Sequence, residues 1–224
     1  MSPLNPEEVK QAAGAVVSVL VGEGYSCCLF GSLACHIFGM ENRDPKDVDL
    51  IVLSSNDNVE DLKRLIVNSS SEFFLRNSRN PDATHRILYY RFPTYRPKVC
   101  KIDILIAGKK CSPLQIPQPP ETWIAYERRA EELPVMPLLA LLALKLQGWH
   151  DKITSPIEYK QRKAEQDAGD VDQMLQIAVK RHRHLRNKRE KWMPTWFKKK
   201  IKKFVDKYEY DFPESGGYWR KLGF

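Results

Sequence analysis

The chain has 224 residues, of which 42% are hydrophobic and 29% charged, and this balance excludes a disordered or fibrous protein. The longest apolar run, Val135–Leu144, is too short to cross a bilayer and is followed directly by Lys145. We therefore expect a soluble globular protein without a membrane span. The N-terminal apolar residues have helical spacing, so we expect no secretory signal.

The cysteines predict a reducing compartment. There are five of them, and they show neither a CxxC pattern nor the Cys/His spacing of zinc ligands. An odd number of unpaired thiols is typical of a cytosolic or nuclear protein, and a zinc site is not expected. The cysteines are Cys27, Cys28, Cys35, Cys100 and Cys111.

The net charge of +8 is concentrated near the C-terminus. Between Arg181 and Lys207 the chain has twelve Lys or Arg residues and two acids, so this basic segment carries +10 and the rest of the chain −2. Trp192, Trp196 and Phe197 lie among the cations, a combination that suits a nucleic-acid backbone with base stacking. A helix that turns its lysines to water, an acidic membrane surface or an anionic protein partner would explain the same pattern.

The N-terminal half of the chain alternates helices with strands. Asn5-Pro6-Glu7-Glu8 predicts a capped helix start, and the helix ends near Gly22. A short helix at Leu33–Phe38 and an amphipathic helix at Asp57–Asn68 follow. The predicted strands are Ser26–Phe30, Val48–Leu53, Arg86–Phe92 and Val99–Ile106.

A proline-rich connector, residues 112–120, separates this half from a helical one. The pattern predicts an α/β domain at 1–111 and a helical domain with the basic segment at 121–224. Helices are predicted at Pro137–Trp149 and Glu158–Leu185. A last helix carries an apolar stripe of Phe197, Ile201, Phe204, Val205 and Tyr208.

Three aspartates lie at the start of predicted strands or within them. Asp47 and Asp49 are two residues apart at a strand start, so their side chains point to the same face, where like charges repel. Asp103 lies in a later strand, KIDILI. Carboxylate oxygens are the ligands that Mg²⁺ prefers, together with substrate phosphates. The alternative is that all three acids keep edge strands soluble.

The pair Gly31-Ser32 lies between a predicted strand and a predicted helix. A glycine there allows close approach of the backbone to a ligand, and helix N–H groups together with the Ser32 hydroxyl can bind a phosphate. Gly-Ser turns are also common without any ligand. Next to three acids, the pair favours metal-assisted phosphoryl or nucleotidyl transfer.

These motifs resemble the DNA polymerase β-like nucleotidyltransferase superfamily. Gly31-Ser32, then Asp47-Val48-Asp49, then Asp103 match its Gly-Ser turn, acid-x-acid strand and later third acid. GSLACHIFG followed by Arg43 and KDVDL is closest to the minimal and AbiEii-like branches. LLALLALKL with Lys145, then Lys163, Asp167 and Asp170, is similar to their helical tail, although Lys163 and Asp167 are spaced more loosely than is usual.

The resemblance implies an α+β fold, a small mixed β-sheet flanked by helices, with a C-terminal helical domain. It implies that Asp47, Asp49 and Asp103 are the catalytic and metal-binding residues for Mg²⁺, or Mn²⁺ in its place. Asp103 would complete a second metal position or act as the base. Gly31 and Ser32 would hold the β- and γ-phosphates of a nucleoside triphosphate.

Three cations are further candidates for phosphate binding. Arg43 and Lys46 flank the acids, although a solvated loop explains either one alone. Lys145 would act from the helical domain, or would extend its amine from a core helix to water.

The leading hypothesis is a Mg²⁺-dependent transferase that moves a nucleoside monophosphate to a hydroxyl on a small molecule, a protein or an RNA such as tRNA. One rival is a catalytically silent module of the same fold that binds nucleotide or RNA. Another is a basic nucleic-acid-binding protein in which the acids are incidental. The sequence does not specify the nucleotide, the acceptor or the oligomeric state.

Overall fold

The computed structural model describes residues 3–54, 57–78, 85–94, 98–108, 115–126 and 133–224. Contacts group the chain into two units. The first consists of Met1–Ile37 with Asp44–Val135, and the second of Phe38–Arg43 with Met136–Phe224. The predicted domain division at residues 112–120 stays a prediction, and residues 112–114 of it lie outside the described ranges.

The first unit combines helices with a mixed sheet. Its helices are α1 (Pro6–Gly22), α2 (Gly31–Ile37) and α3 (Val59–Ser69). Its strands are β1 (Cys27–Phe30), β2 (Asp47–Val52), β3 (Phe73–Asn77), β4 (Arg86–Arg91), β5 (Val99–Ile106), β6 (Ala125–Tyr126) and β7 (Pro134–Val135).

Helix α1 starts where the sequence predicts it. The Asn5 side chain accepts a hydrogen bond from the Glu8 backbone N–H, and the Glu8 carboxylate accepts one from the Asn5 N–H, both at 2.9 Å. Pro6 occupies the first turn, where its missing N–H would have had no partner. Glu8 also pairs with Lys98, which precedes β5, so the cap joins the helix to the sheet.

The strands are ordered β3-β4-β5-β2-β1-β7-β6. Strands β2 and β5 pair in parallel, as do β1 and β7, whereas the other neighbours are antiparallel. The four predicted strands are present, but the sequence-based prediction missed β3, β6 and β7. Strand β3 has only five residues with no clear alternation, and β6 and β7 have two residues each, too few for a periodic pattern.

The two faces of the central strands differ in burial. Along β5, buried Cys100, Ile102 and Ile104 alternate with half-buried Lys101 and Asp103. On the neighbouring strand β4, the residue that shares the face of Cys100 is Tyr90, which hydrogen bonds with Gln11 of α1. The helices therefore cover one face, and the acids lie on the other, which we call the acid-bearing face.

The second unit is helical. Its helices are α4 (Leu138–Ile153), α5 (Glu158–Gln161), α6 (Ala164–Lys180), α7 (Thr195–Asp211) and α8 (Gly216–Leu222). Helices α6 and α7 both pack on α4, and α8 packs on α6. The centre is aromatic, because Trp149 and Trp219 each make edge-to-face contacts with Tyr208, at 4.9 and 6.0 Å between ring centroids.

One long helix of the prediction is wrong. The predicted helix Glu158–Leu185 is two helices, interrupted at Arg162–Lys163, and the second ends at Lys180. All residues of α5 are exposed, so α5 has no buried side chain whose packing would keep it continuous with α6. His182 has a left-handed backbone with φ of 51°, which cannot continue a helix.

The predicted fold class is confirmed: a mixed sheet flanked by helices, with further helices toward the C-terminus. The stripe predicted for the last helix is buried in α7, and its lysines are exposed or half-buried. Within the described residues, no helix combines the length and the apolar character that spanning a bilayer requires.

Candidate active site

Strand β2 carries the first two acids on one face. Asp47 and Asp49 are half-buried and alternate with buried Val48 and Leu50. The apolar side chains hold the strand in the core, so the two carboxylates must share the opposite side. The sequence-based prediction that they lie together on one face is consistent with this alternation.

The third acid lies directly beside them. Because β2 and β5 pair in parallel, Asp49 is opposite Asp103 and Asp47 is opposite Lys101. Paired positions on neighbouring strands point to the same side of a sheet. The structure therefore brings together Asp47, Asp49 and Asp103, which are far apart in the sequence, and adds a cation to them.

That cation, Lys101, was missed by the sequence analysis. Its Nζ donates a hydrogen bond to Oδ2 of Asp103. Burial lowers the pKa of Lys101, but the bond to Asp103 and the charges of Asp103, Asp47 and Asp49 outweigh burial and raise the pKa. The signal was present, since Lys101 precedes Asp103 by two residues in a strand and so must share its face.

The carboxylates also act on a neighbouring thiol. Burial raises the pKa of Cys100 to about 12, and the charges of Asp47 and Asp49 add to this effect. Cys100 is buried, on the other side of β5 from the acids. The Cys100 thiol is therefore protonated at neutral pH.

Gly31 lies against Asp49. It follows β1, whose last residue Phe30 is opposite Asp49, and it has a left-handed backbone with φ of 68°. A Cβ at Gly31 would lie 1.8 Å from Oδ2 of Asp49, a distance that no side chain can occupy. Only glycine fits here. Ser32, the next residue in α2, is buried with 4% of its surface exposed.

The donor set suits a metal ion that arrives with a phosphate. Among the described residues, no group of three or more His, Cys, Asp or Glu side chains is arranged to hold a metal ion. Mg²⁺ often needs only one or two protein carboxylates, because substrate phosphates and water complete its shell. Asp47 and Asp49 supply two such carboxylates, and Asp103 beside them pairs with Lys101.

The predicted phosphate-binding residues fall into both units. Gly31, Ser32 and exposed Lys46 belong to the first unit. Arg43 and Lys145 belong to the second, where each lies 2.6 Å from Oδ2 of Asp170. Both cations therefore have an acidic partner that the sequence analysis did not assign to them.

Asp170 is the centre of a buried polar cluster. Its side chain is fully buried, and Oδ1 also accepts a hydrogen bond of 2.9 Å from Asn42. Burial raises the pKa of Asp170, but Arg43 and Lys145 outweigh burial and lower the pKa to about 2. The carboxylate therefore stays ionised and fixes the segment Phe38–Arg43 to α4 and α6.

The chain was compared with protein families, with curated proteins and with solved structures. A family profile described as "Nucleotidyl transferase AbiEii toxin, Type IV TA system" matches residues 32–209. No curated protein matches the sequence. The structure resembles an antigenic nucleotidyltransferase-like protein from Paracoccidioides brasiliensis, with a TM-score of 0.65 and 14% identity over 98% of this chain and 95% of that chain.

A second solved structure, a candidate nucleotidyltransferase from H. pylori, has a TM-score of 0.37 and 11% identity over 92% of this chain and 95% of that chain. The first of the two structures has the same fold as this chain. The family match includes Ser32, the three aspartates and the helices from α2 to most of α7, but not α1. Because that match spans most of the sequence, the chain belongs to the AbiEii family of nucleotidyltransferases.

Proposed function

We propose that this protein moves a nucleoside monophosphate from a nucleoside triphosphate to a hydroxyl acceptor and releases pyrophosphate. The observation that carries the proposal is the register of β2 with β5, which sets Asp49 opposite Asp103 beside Gly31. Membership of a nucleotidyltransferase family supports the reaction class. The acceptor hydroxyl would belong to a small molecule, a protein or an RNA.

Different residues of the chain would bind the metal ion and the phosphates. Asp47 and Asp49 would hold a divalent cation, Mg²⁺ or Mn²⁺, which when bound neutralises charge on the triphosphate. Gly31 leaves room for backbone and phosphate to approach each other, and Ser32 and Lys46 are candidate phosphate donors. Arg43 and Lys145 stay candidates for the same role, although both contact Asp170.

The transfer itself exchanges one phosphorus–oxygen bond for another. The acceptor oxygen forms a bond to the α-phosphorus while the bond from that phosphorus to the bridging oxygen of pyrophosphate breaks. Asp103 takes the proton of the acceptor hydroxyl as general base. Lys101 donates a hydrogen bond to Asp103 and so holds this carboxylate in position before the acceptor arrives.

Calorimetric titration tests the proposal. ATP, GTP, CTP and UTP are titrated separately, with Mg²⁺ and with EDTA, into the wild type and into the double variant Asp47→Asn/Asp49→Asn. We expect one or more nucleotides to bind only with metal and only to the wild type. Asp44→Asn is the matched control, because Asp44 is exposed just before β2. Absence of triphosphate binding by folded wild type would overturn the proposal.

A catalytically silent module is the second candidate. The contact of Lys101 with Asp103 favours it, because the third carboxylate is already neutralised by a side chain of the protein. Such a module would bind nucleotide or RNA without releasing pyrophosphate. Pyrophosphate release in the presence of the bound nucleotide and a mixture of acceptors separates the two candidates.

A further inference from the structure

A row of four paired residues crosses the acid-bearing face. Asp47 on β2 is opposite Lys101 on β5, Lys101 is opposite Tyr89 on β4, and Tyr89 is opposite Phe74 on β3. Neighbouring strands are about 4.8 Å apart, so the row extends about 14 Å from Asp47 to Phe74. All four side chains share one side of the sheet.

The outer end of this row is aromatic and cationic. The rings of Phe74 and Tyr89 are stacked, with centroids 5.6 Å apart and planes 18° apart. The Arg76 guanidinium lies 5.0 Å from the Phe74 centroid and 5.5 Å from the Tyr89 centroid, and the Arg91 guanidinium lies 4.9 Å from Phe74. We call Phe74, Arg76, Tyr89 and Arg91 the aromatic–arginine patch.

Arg76 and Arg91 give this patch its positive charge. Arg76 and Arg91 are exposed, and within the part of the chain that the structure describes neither forms an ion pair. A guanidinium that lies over a ring keeps the N–H donors at its edge available for a phosphate. Phe74 and Tyr89 are half-buried, so part of each ring is exposed, and a base can stack on an aromatic ring or on a guanidinium plane.

The position of the patch indicates whether it binds the triphosphate or the acceptor. Gly31 follows β1, on one side of β2, whereas the patch lies on β4 and β3, beyond β5 and Asp103. The triphosphate would lie near Gly31 and Asp49. The group that Asp103 deprotonates would approach from the β4 side, across Lys101 and the patch.

We propose that the aromatic–arginine patch binds the unpaired end of a single-stranded nucleic acid whose terminal hydroxyl is the acceptor. The acceptor role rests on the proposed nucleotidyl transfer, but the binding surface does not. Tyr89 and Phe74 stack with a base, Arg76 and Arg91 bind the flanking phosphates, and Lys101 lies between them and the acids. Stacking on aromatic side chains and arginine planes is how unpaired bases are recognised.

Fluorescence anisotropy of a short 5′-labelled single-stranded RNA, with EDTA and without nucleotide, tests the surface. We expect Arg76→Gln/Arg91→Gln and Tyr89→Ile each to weaken binding about tenfold or more. The affinity of the double arginine variant should also depend less on salt. The slope of log affinity against log salt concentration should become less steep by about 0.7 for each phosphate that the variant no longer binds. A blunt RNA duplex should compete poorly, because its bases are already stacked.

The matched control is Lys199→Gln/Lys202→Gln, which removes two exposed positive charges from α7. It should change affinity by less than about twofold at constant salt if the patch carries the binding. The inference is overturned if the wild type binds no single-stranded RNA, if the duplex competes equally, or if the lysine variant loses as much affinity as the arginine variant. Circular dichroism confirms that each variant is folded.

The outcomes separate this inference from the proposed function. If RNA binds through the patch but no triphosphate binds, the RNA-binding surface is supported and the proposed nucleotidyl transfer is overturned. If triphosphate binds but RNA does not, only the RNA-binding inference is overturned. If the wild type binds both RNA and triphosphate, it should extend the 3′ end of the RNA. Tyr89→Ile should lose this extension and keep its affinity for triphosphate. If the wild type does not extend the RNA, the acceptor role is overturned.

Discussion

Gly31 and Asp49 approach each other so closely that a Cβ on Gly31 would lie 1.8 Å from Oδ2 of Asp49. The backbone at Gly31 is also left-handed, with φ of 68°. This contact places the turn after β1 directly against the predicted metal and phosphate site. A side chain at residue 31 would have to move the carboxylate.

Gly31→Ala tests this contact. We expect metal-dependent triphosphate binding to fall at least about tenfold, because a displaced Asp49 loses the geometry that phosphate and metal need. The left-handed backbone should cost a further ~1–2 kcal/mol in the free energy of unfolding. Calorimetric titration and chemical denaturation measure the two effects.

Gly24→Ala is the control for the stability cost of placing alanine in a left-handed backbone conformation. Gly24 has φ of 82° in the same unit, and nothing lies within 4 Å of the position of its Cβ. It should lose similar stability and keep nucleotide affinity. Equal nucleotide binding by both alanine variants would contradict a role for the Gly31–Asp49 contact.

Asp103→Asn should separate binding from turnover. As the general base, Asp103 should contribute about 10²- to 10⁴-fold to turnover. Triphosphate affinity should change far less than in Asp47→Asn/Asp49→Asn, whose side chains are assigned to the metal. Pyrophosphate release and calorimetry measure these quantities, with Asp44→Asn as control. Unchanged turnover, or a loss of affinity as large as in the double variant, would remove Asp103 from this role.

Lys101→Met should strengthen metal binding in the absence of nucleotide. Charges 4 Å apart near a protein surface interact with ~4 kcal/mol, and screening of this partly exposed pair reduces that figure, so we expect an increase of about tenfold. Mn²⁺ titration followed by electron paramagnetic resonance measures the affinity. Removal of Lys101 frees Asp103 and takes a competing cation away from Asp47 and Asp49.

Lys10→Met is the matched control, because it removes the same charge from α1, where Lys10 pairs with exposed Glu7. It should leave Mn²⁺ affinity unchanged. Weaker or equal Mn²⁺ binding by Lys101→Met would mean that Lys101 does not compete with metal at this site.

Asp170→Asn should destabilise the second unit. A buried ion pair that loses one partner costs ~3–5 kcal/mol, because Arg43 and Lys145 would keep charge without a counterion. Chemical denaturation measures the loss. Asp172→Asn, two residues later and exposed on the same helix, should cost less than ~1 kcal/mol. Equal stability of the two variants would contradict the importance of the Asp170 cluster.

The same cluster predicts a dependence on pH. The pKa of Asp170 falls from 3.8 to about 2 on folding. A depressed carboxyl pKa stabilises the folded state above its unfolded value, and this contribution is lost as the pH falls toward the folded value. The stability advantage of the wild type over Asp170→Asn should therefore narrow by ~2 kcal/mol as the pH falls from about 4 to 2.

The sequence by itself determined the local features. The i, i+2 spacing of Asp47 and Asp49 in a strand requires a shared face, whatever the strand pairs with. Asn5, Pro6 and Glu8 determined where α1 begins, because the capping hydrogen bonds are formed within four residues. The stripe of α7, from Phe197 to Tyr208, follows from helical periodicity alone.

The tertiary structure decided which distant residues meet. Asp103 reaches Asp49 only because β5 pairs in parallel with β2, and a shift of one residue would turn Asp103 to the buried face. The row from Lys101 to Tyr89 and Phe74 depends on two further strand pairings, one of them with β3, a strand that the sequence pattern did not reveal. Register between strands comes from packing over the whole sheet, so local spacing cannot predict it.

The partner of Arg43 and Lys145 was decided in the same way. The sequence marks Arg43 as a cation that flanks predicted acids and Lys145 as a cation of the helical domain, and it makes both candidates for phosphate binding. Folding places buried Asp170 of α6 within ion-pair distance of both. A charge removed from water requires a counterion, and only the packing of α4, α6 and the segment Phe38–Arg43 specifies which carboxylate supplies it.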